Sequence, residues 1–222
     1  MGMNTVKRHC TEGTLQAIES LGCFKDGHFH LKSGRHSNKY GQLRFAELIR
    51  LTSPFLNYSL KKLGVQHGDT SIVLVGPKTM GREIATYMAG SQEIPYAWCE
   101  IDDKEGKAYW PDKPGDFADI VKDRKVILLD DMLTKGTTTR QVVKLVEDSG
   151  GGILAALFIA RRNQDTTAET IGVPRLDFLV DLEFPDWEIS ECPLCAGEVP
   201  LDKIGHWKEF HEKFPDYPLK ED

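Results

Sequence analysis

The sequence predicts an α/β protein built on a parallel sheet covered by helices. Three observations carry that expectation. Short segments at 71–75, 125–129, 153–160 and 176–180 are mostly continuous apolar runs rather than alternating ones, as strands buried on both faces are. Helical spacing follows two of them, at 81–89 and at 139–147, where Val142, Val143, Leu145 and Val146 repeat at helical intervals. Gly150-Gly151-Gly152 then stops the second helix before the next apolar run. Strands alternating with helices in this way stack as a parallel sheet between helical layers.

Taken in order, a helix is expected around 11–21. Residues 27–43 alternate in part (Phe29, Leu31) and are rich in Gly, Ser and His, which predicts a hairpin or short irregular strands. Residues 46–63 read as a helix interrupted by Pro54. The strand at 71–75 ends at Gly76-Pro77. Residues 102–116, rich in Asp, Lys, Gly and Pro, predict a mobile loop between two strands, and loops of that length in a compact domain are usually functional. The strand at 125–129 delivers Asp130-Asp131. After Pro185 the tail carries Trp187, Trp207, Phe210, Phe214 and Tyr217, too aromatic a composition for a disordered end.

At 222 residues the chain accommodates one domain with additions. Its net charge of −6 argues against non-specific nucleic-acid binding, which needs clustered basic residues. No apolar run approaches the ~18 residues of a membrane helix, and residues 1–8 lack the apolar core of a secretory signal. Cys10, Cys23 and Cys99 are scattered, as reduced thiols of a cytoplasmic protein would be.

The most informative stretch is 126–138, Val-Ile-Leu-Leu-Asp-Asp-Met-Leu-Thr-Lys-Gly-Thr-Thr. An apolar strand brings two carboxylates to its C-terminal end, the edge where open α/β sheets bind ligands. A small, hydroxyl-rich loop then opens a helix, whose N–H groups suit a phosphate monoester. Carboxylates repel phosphate but suit hydroxyls or Mg²⁺. The combination fits a phosphorylated sugar, with hydroxyls at Asp130 and Asp131 and phosphate at Thr134, Lys135, Gly136, Thr137 and Thr138. A Walker loop has a different spacing.

This pattern of four apolar residues, two acids and a Thr/Gly loop resembles the phosphoribosyl-pyrophosphate (PRPP) motif of type I phosphoribosyltransferases. The resemblance implies a doubly wound parallel sheet with helices on both faces and a small N-terminal hood. The corresponding division is a domain at 1–185, with the hood at about 1–45, and a C-terminal extension at 186–222 packed on it. Leu31-Lys32-Ser33-Gly34-Arg35-His36-Ser37 is similar to the Leu-x-Ser-Gly-x-x-Ser segment of orotate phosphoribosyltransferases. There the resemblance places Lys32 on phosphate oxygens, and Ser33, Gly34 and Tyr40 beside the base. Val75-Gly76-Pro77-Lys78-Thr79-Met80-Gly81 resembles the pyrophosphate turn. Met80 stands where some members have Lys, so Lys78 and Arg82 are the cations that would compensate. Of the pair Arg161-Arg162, Arg162 is expected to pair with the orotate carboxylate, since a guanidinium fork matches a planar carboxylate.

The family's Arg-Lys-x-x-Lys-x-His loop is Asp103-Lys104-Glu105-Gly106-Lys107-Ala108-Tyr109 in this chain. Both lysines keep their spacing, while Arg becomes Asp103 and His becomes Tyr109. Lys104 and Lys107 are the expected catalytic cations, acting with Asp130 and Asp131. Implied with them are Mg²⁺ bound through PRPP and a homodimer whose mobile loop reaches the partner's site. Asp103 and Tyr109 keep two alternatives open: a phosphoribosyltransferase for another nucleobase, and a non-catalytic PRPP-sensing regulator.

Cys192-Pro193-Leu194-Cys195, with His206 and His211, gives Cys-x2-Cys-x10-His-x4-His, close to a zinc-finger spacing but short in the middle. Zn²⁺ on these four residues, or a metal-free knuckle packed by Trp187 and Trp207, are the two readings.

Overall fold

The computed structural model describes residues 12–41, 46–102, 104–111, 116–182 and 184–221. Cys10 and Asp103, singled out above, lie outside them. In chain order the elements are α1 (Glu12–Ser20), β1 (Phe24–His30), β2 (His36–Gly41), α2 (Ala46–Lys62), β3 (Ile72–Pro77), α3 (Met80–Gln92), β4 (Tyr96–Asp102), β5 (Lys107–Tyr109), α4 (Phe117–Val121), β6 (Lys125–Leu133), α5 (Thr137–Asp148), β7 (Gly152–Arg161), α6 (Ala168–Ile171), β8 (Leu176–Asp181), β9 (Asp186–Trp187), α7 (Pro193–Ala196) and α8 (Trp207–Lys213). They divide into two compact units, Met1–Ala17 with Arg44–Leu182, and Ile18–Leu43 with Glu183–Asp222.

The larger unit holds a six-stranded sheet in the order β5-β4-β3-β6-β7-β8. Every neighbouring pair is parallel except β4 and β5. The chain winds outward from β3 to β4 in one direction and from β6 through β7 to β8 in the other. The point where that direction reverses lies between the C-terminal ends of β3 and β6, where such sheets bind ligands. The doubly wound sheet expected from the sequence is therefore present.

Both faces of the strands are buried. Val73, Val75, Val126, Leu128, Ala156 and Phe158 pack with Val142, Val143 and Val146 of α5 and with Phe117 and Val121 of α4. The alternate residues Leu74, Ile127, Leu129 and Leu157 are buried too and point to the other face, where α3 covers β3 and β6 and α2 covers β7 and β8. Each such side chain contributes roughly 1.5–3 kcal/mol on burial. Ser59 of α2 donates to Asp177 of β8 at 2.8 Å, satisfying a buried polar pair.

Three expectations for this unit need correction. Pro54 does not interrupt its helix: α2 runs unbroken from Ala46 to Lys62. Proline lacks the N–H that would reach the Arg50 carbonyl, and the Ser53 hydroxyl donates to that carbonyl instead, at 3.0 Å. The strand expected at 125–129 continues to Leu133, so Asp130 and Asp131 belong to β6. Residues 102 and 104–109, expected within a mobile loop, belong to a hairpin that pairs Asp102 with Lys107 and Glu100 with Tyr109. The Asp102 carboxylate accepts the N–H groups of Lys104 (2.8 Å) and Glu105 (3.1 Å), its carbonyl accepts Gly106 N–H, and Gly106 supplies the positive φ.

The smaller unit contains the antiparallel sheet β1-β2-β9. A turn over 31–35 joins β1 to β2. Leu31 N–H meets the Arg35 carbonyl, Gly34 N–H meets the Leu31 carbonyl, both at 2.9 Å, and Gly34 takes φ +81°. The sequence suggested a hood at about 1–45 within a domain at 1–185, and an extension at 186–222 packed on that domain. The structure instead joins hood hairpin and tail in one unit, because β9 pairs with β2 and because Arg35 donates to Asp186 and Glu188. Phe29, Leu201 and Phe210 form its buried apolar centre. Asp202 accepts His28 N–H and returns its own N–H to the His28 carbonyl, each at 2.8 Å. Gly27 has to be bare there: a Cβ would stand 2.2 Å from an Asp202 carboxylate oxygen.

Candidate active site

Strand β6 ends at the switch point with its two carboxylates side by side. The Asp130 side chain accepts Asp131 N–H at 2.9 Å and also the Gly81 N–H at the start of α3. Asp131 accepts Met132 N–H at 2.8 Å. Burial, and then the neighbouring Asp131 carboxylate, hold the Asp130 carboxyl well above the usual carboxylate range. Such a pair favours hydroxyl donors or a cation at this edge.

The loop after β6 is braced from behind. The Thr166 hydroxyl donates to the Thr134 carbonyl at 2.6 Å. The Arg140 guanidinium donates to the carbonyls of Lys135 (3.0 Å) and Thr170 (3.3 Å) and to the Thr137 hydroxyl (3.3 Å). Gly136 is buried with φ +68°, and a Cβ there would lie 2.3 Å from Ile171 Cγ2. Thr134, Lys135, Thr137 and Thr138 are exposed. The N-cap of α5 is Gly136, which brings no side chain to cap the first turn. Carbonyls held back and N–H groups left open at a helix start make an anion cradle.

Across the crevice, the turn after β3 is drawn close to β6. A Cβ on Gly76 would stand 2.0 Å from the Gly81 carbonyl oxygen. One on Gly81 would stand 2.7 Å from the Leu129 carbonyl and 3.0 Å from Asp130. The Lys78–Thr79 peptide is cis. The Lys78 ammonium lies 3.1 Å from Glu100, and Arg82 lies over the Trp98 ring at 5.1 Å. Both cations offered as substitutes at Met80 are thus engaged with β4. Tyr109 donates to the second Glu100 oxygen at 3.0 Å. These two hydrogen bonds lower the Glu100 pKa.

Arg161 and Arg162 part ways at the end of β7. Arg161 grips Asp181 through two hydrogen bonds of 2.6 and 2.8 Å and lies over Phe178. Arg162 is half-buried, its N–H on the Leu133 carbonyl at 2.8 Å, one residue before the Thr134 loop. Asp130, Asp131, Thr134, Lys135, Gly136, Thr137, Thr138, Lys78 and Arg162 thus share one sheet edge. Lys104 and Lys107 are exposed on the β4–β5 hairpin beyond the end of β4, with Lys107 3.5 Å from Glu105. Lys32, Ser33 and Gly34 form the exposed turn of the smaller unit. Tyr40 is half-buried there, with its ring on Phe29 and against Gly205.

A family model for the phosphoribosyl transferase domain matches residues 59–190. The chain belongs to the phosphoribosyltransferase family. It is 28% identical to the orotate phosphoribosyltransferase of Caldanaerobacter subterraneus subsp. tengcongensis over 89% of this chain and 98% of that protein. It is 31% identical to that of Carboxydothermus hydrogenoformans over 82% of this chain and 91% of that protein. In structure it resembles the orotate phosphoribosyltransferase of Aeropyrum pernix, with a TM-score of 0.52, 23% identity, and coverage of 75% of this chain and 90% of that one. The carboxylates and the loop follow one another along the sequence, whereas the braces Arg140 and Thr166 and the Glu100–Tyr109 contact emerge only in the structure. Thr166 meets Thr134 across 32 residues and Arg140 meets Thr170 across 30, separations that no local spacing signals.

The zinc ligands expected from spacing do not assemble. His206 pairs with Glu209 at 2.9 Å, and His211 stacks by Trp207. Cys192 and Cys195 face His28 and His36 instead. No helix among the described residues is long and apolar enough to cross a membrane.

Proposed function

We propose that this chain transfers the phosphoribosyl group of PRPP to orotate, giving orotidine 5′-phosphate and pyrophosphate in pyrimidine nucleotide biosynthesis. The observation that carries this reading is the carboxylate pair beside an uncapped, braced helix start at the switch point. It offers acceptors for ribose hydroxyls and donors for a 5′-phosphate. The orotate relatives, matched nearly end to end, support the choice of base.

Displacement of pyrophosphate builds positive charge on the sugar and negative charge on the leaving group, so catalysis is chiefly electrostatic and positional. Asp130 and Asp131 hold the ribose hydroxyls. Thr134, Lys135, Gly136, Thr137 and Thr138 hold the 5′-phosphate. Lys104 and Lys107 neutralise the pyrophosphate, with Lys107 exchanging Glu105 for it. Lys78 serves the same anion if it leaves Glu100. Arg162 pairs with the orotate carboxylate, since Arg161 is occupied by Asp181. The turn of Lys32, Ser33 and Gly34 contributes an ammonium to phosphate and backbone N–H groups to the base, with Tyr40 fixing its strand. The oxygen donors of Asp130 and Asp131 fit Mg²⁺, which in this chemistry neutralises phosphate charge. A cytoplasmic homodimer, with the β4–β5 segment serving the partner's site, completes the proposal.

Pyrophosphate release from PRPP and Mg²⁺ with orotate, uracil, hypoxanthine or adenine, each supplied separately, tests it. Release with orotate alone is expected. Release with another base alone, or PRPP binding without release, replaces this reading with one of the two alternatives.

A further inference from the structure

In the smaller unit, four side chains from three segments converge. His28 lies on β1, His36 opens β2, and Cys192 and Cys195 flank the first turn of α7. One ligand atom from each falls within 4.8 Å of all the others. His28 and His36 are fully buried, and Cys192 is 2% exposed.

We propose that His28 Nε2, His36 Nδ1 and the Sγ atoms of Cys192 and Cys195 form a structural zinc site.

The geometry supports a tetrahedron. Zinc bond lengths of about 2.05 Å to nitrogen and 2.3 Å to sulfur imply ligand–ligand edges of about 3.4 Å (N–N), 3.6 Å (N–S) and 3.8 Å (S–S). The His28 Nε2 distances to Cys192 and Cys195 are 3.6 and 3.7 Å, and Cys195 to His36 Nδ1 is 3.2 Å. The His28–His36 edge is 2.8 Å, so these rings separate by about half an ångström on binding. The surroundings already set the tautomer. His28 Nδ1 lies 2.8 Å from the Val199 carbonyl, which also accepts the Tyr217 hydroxyl at 3.0 Å. That fixes the proton on Nδ1 and aims the Nε2 lone pair at the cluster, the usual outer-shell arrangement for a metal-bound histidine.

Chemistry selects the ion. Two soft thiolates and two imidazoles in tetrahedral array favour zinc over the oxygen-seeking cations. Two thiolates balance the dication, so the bound site is neutral. Four protein ligands leave no position for substrate, which makes the site structural. Binding releases the thiol protons to solvent and changes no oxidation state. His28 and His36 bracket the turn over 31–35, so the ion would pin that turn to the tail. On the function proposed above, this would hold the substrate-contacting turn in place.

The test measures metal, not turnover, so it stands apart from the assignment of orotate. Wild-type protein, produced in zinc-supplemented medium and passed through metal-free buffer, is analysed by inductively coupled plasma mass spectrometry. Cobalt is then exchanged into the same full-length chain. One zinc per chain is expected, with tetrahedral cobalt bands and thiolate-to-cobalt charge transfer. Cys195→Ser is expected to weaken zinc affinity by at least about tenfold, while His206→Ala and His211→Ala retain full zinc. Should Cys195→Ser fail to fold, the cobalt spectrum of the wild type decides alone. Wild-type protein with negligible zinc and no charge-transfer band overturns the proposal, as does a Cys192–Cys195 disulfide found by mass mapping of freshly purified protein. Zinc lost from His206→Ala or His211→Ala overturns the ligand set.

Discussion

Gly136→Ala probes the phosphate loop at its most constrained point. The residue takes φ +68°, and its Cβ would lie 2.3 Å from Ile171 Cγ2, a side chain with no exposed surface. The left-handed conformation costs about 1–2 kcal/mol for a residue with a Cβ. Forcing a methyl into a filled core costs roughly 1–3 kcal/mol more. Ile171 cannot yield toward solvent, and the Thr134 carbonyl is held by Thr166, so the loop has to move and the two costs add to about 2–5 kcal/mol. Urea denaturation followed by circular dichroism measures the loss. The KM for PRPP, expected to rise at least about tenfold as the N–H cradle spreads, reports the site. A midpoint within about 0.5 kcal/mol of wild type, together with an unchanged KM, would refute the reasoning.

Other substitutions separate stability from chemistry. Lys107→Ala should lower kcat by about a hundredfold or more while leaving the melting temperature unchanged, because the side chain is exposed and its ion pair with Glu105 is on the surface; steady-state kinetics and a thermal melt check both halves. Asp130→Asn should raise the melting temperature and abolish turnover, since it removes a half-buried carboxylate that is partly desolvated and crowded by Asp131. The carboxyl pKa is raised in the folded chain, so the wild type takes up its proton as pH falls and the stability difference shrinks in acid; melts across pH reveal this. Arg161→Ala should cost about 3–5 kcal/mol by stranding buried Asp181. Arg162→Ala should raise the KM for orotate roughly ten- to a hundredfold. Denaturation and kinetics on the two variants distinguish a structural from a binding arginine.

The parallel strands were legible because burial on both faces leaves an unbroken apolar run, as at 153–160. Strand β4 was harder to place: Trp98, Glu100 and Ile101 mix polar with apolar character beside the short edge strand β5. The β4–β5 hairpin escaped notice because it depends on one aspartate collecting two N–H groups and on Gly106, within a segment whose composition reads as loop. Pro54 misled for a similar reason, since rescue by the Ser53 hydroxyl is a single contact. At the site, the carboxylates and the threonine loop follow one another along the chain, so spacing revealed them. Thr166 reaches Thr134 across 32 residues, and Cys192 reaches His28 across 164. Local spacing therefore found the cysteines but paired them with the nearest histidines. The histidines that the cysteines meet in the structure, His28 and His36, are brought there by the hairpin and its pairing with the tail.

On the proposed function, the edge bearing Asp130, Asp131 and the Thr134 loop joins PRPP to orotate. Mass-spectrometric identification of the product formed from isotopically labelled orotate, PRPP and Mg²⁺ tests it most directly. The account predicts labelled orotidine 5′-phosphate and an equal amount of pyrophosphate, both lost in Asp130→Asn. Unchanged labelled orotate in the presence of folded, PRPP-binding protein would contradict it.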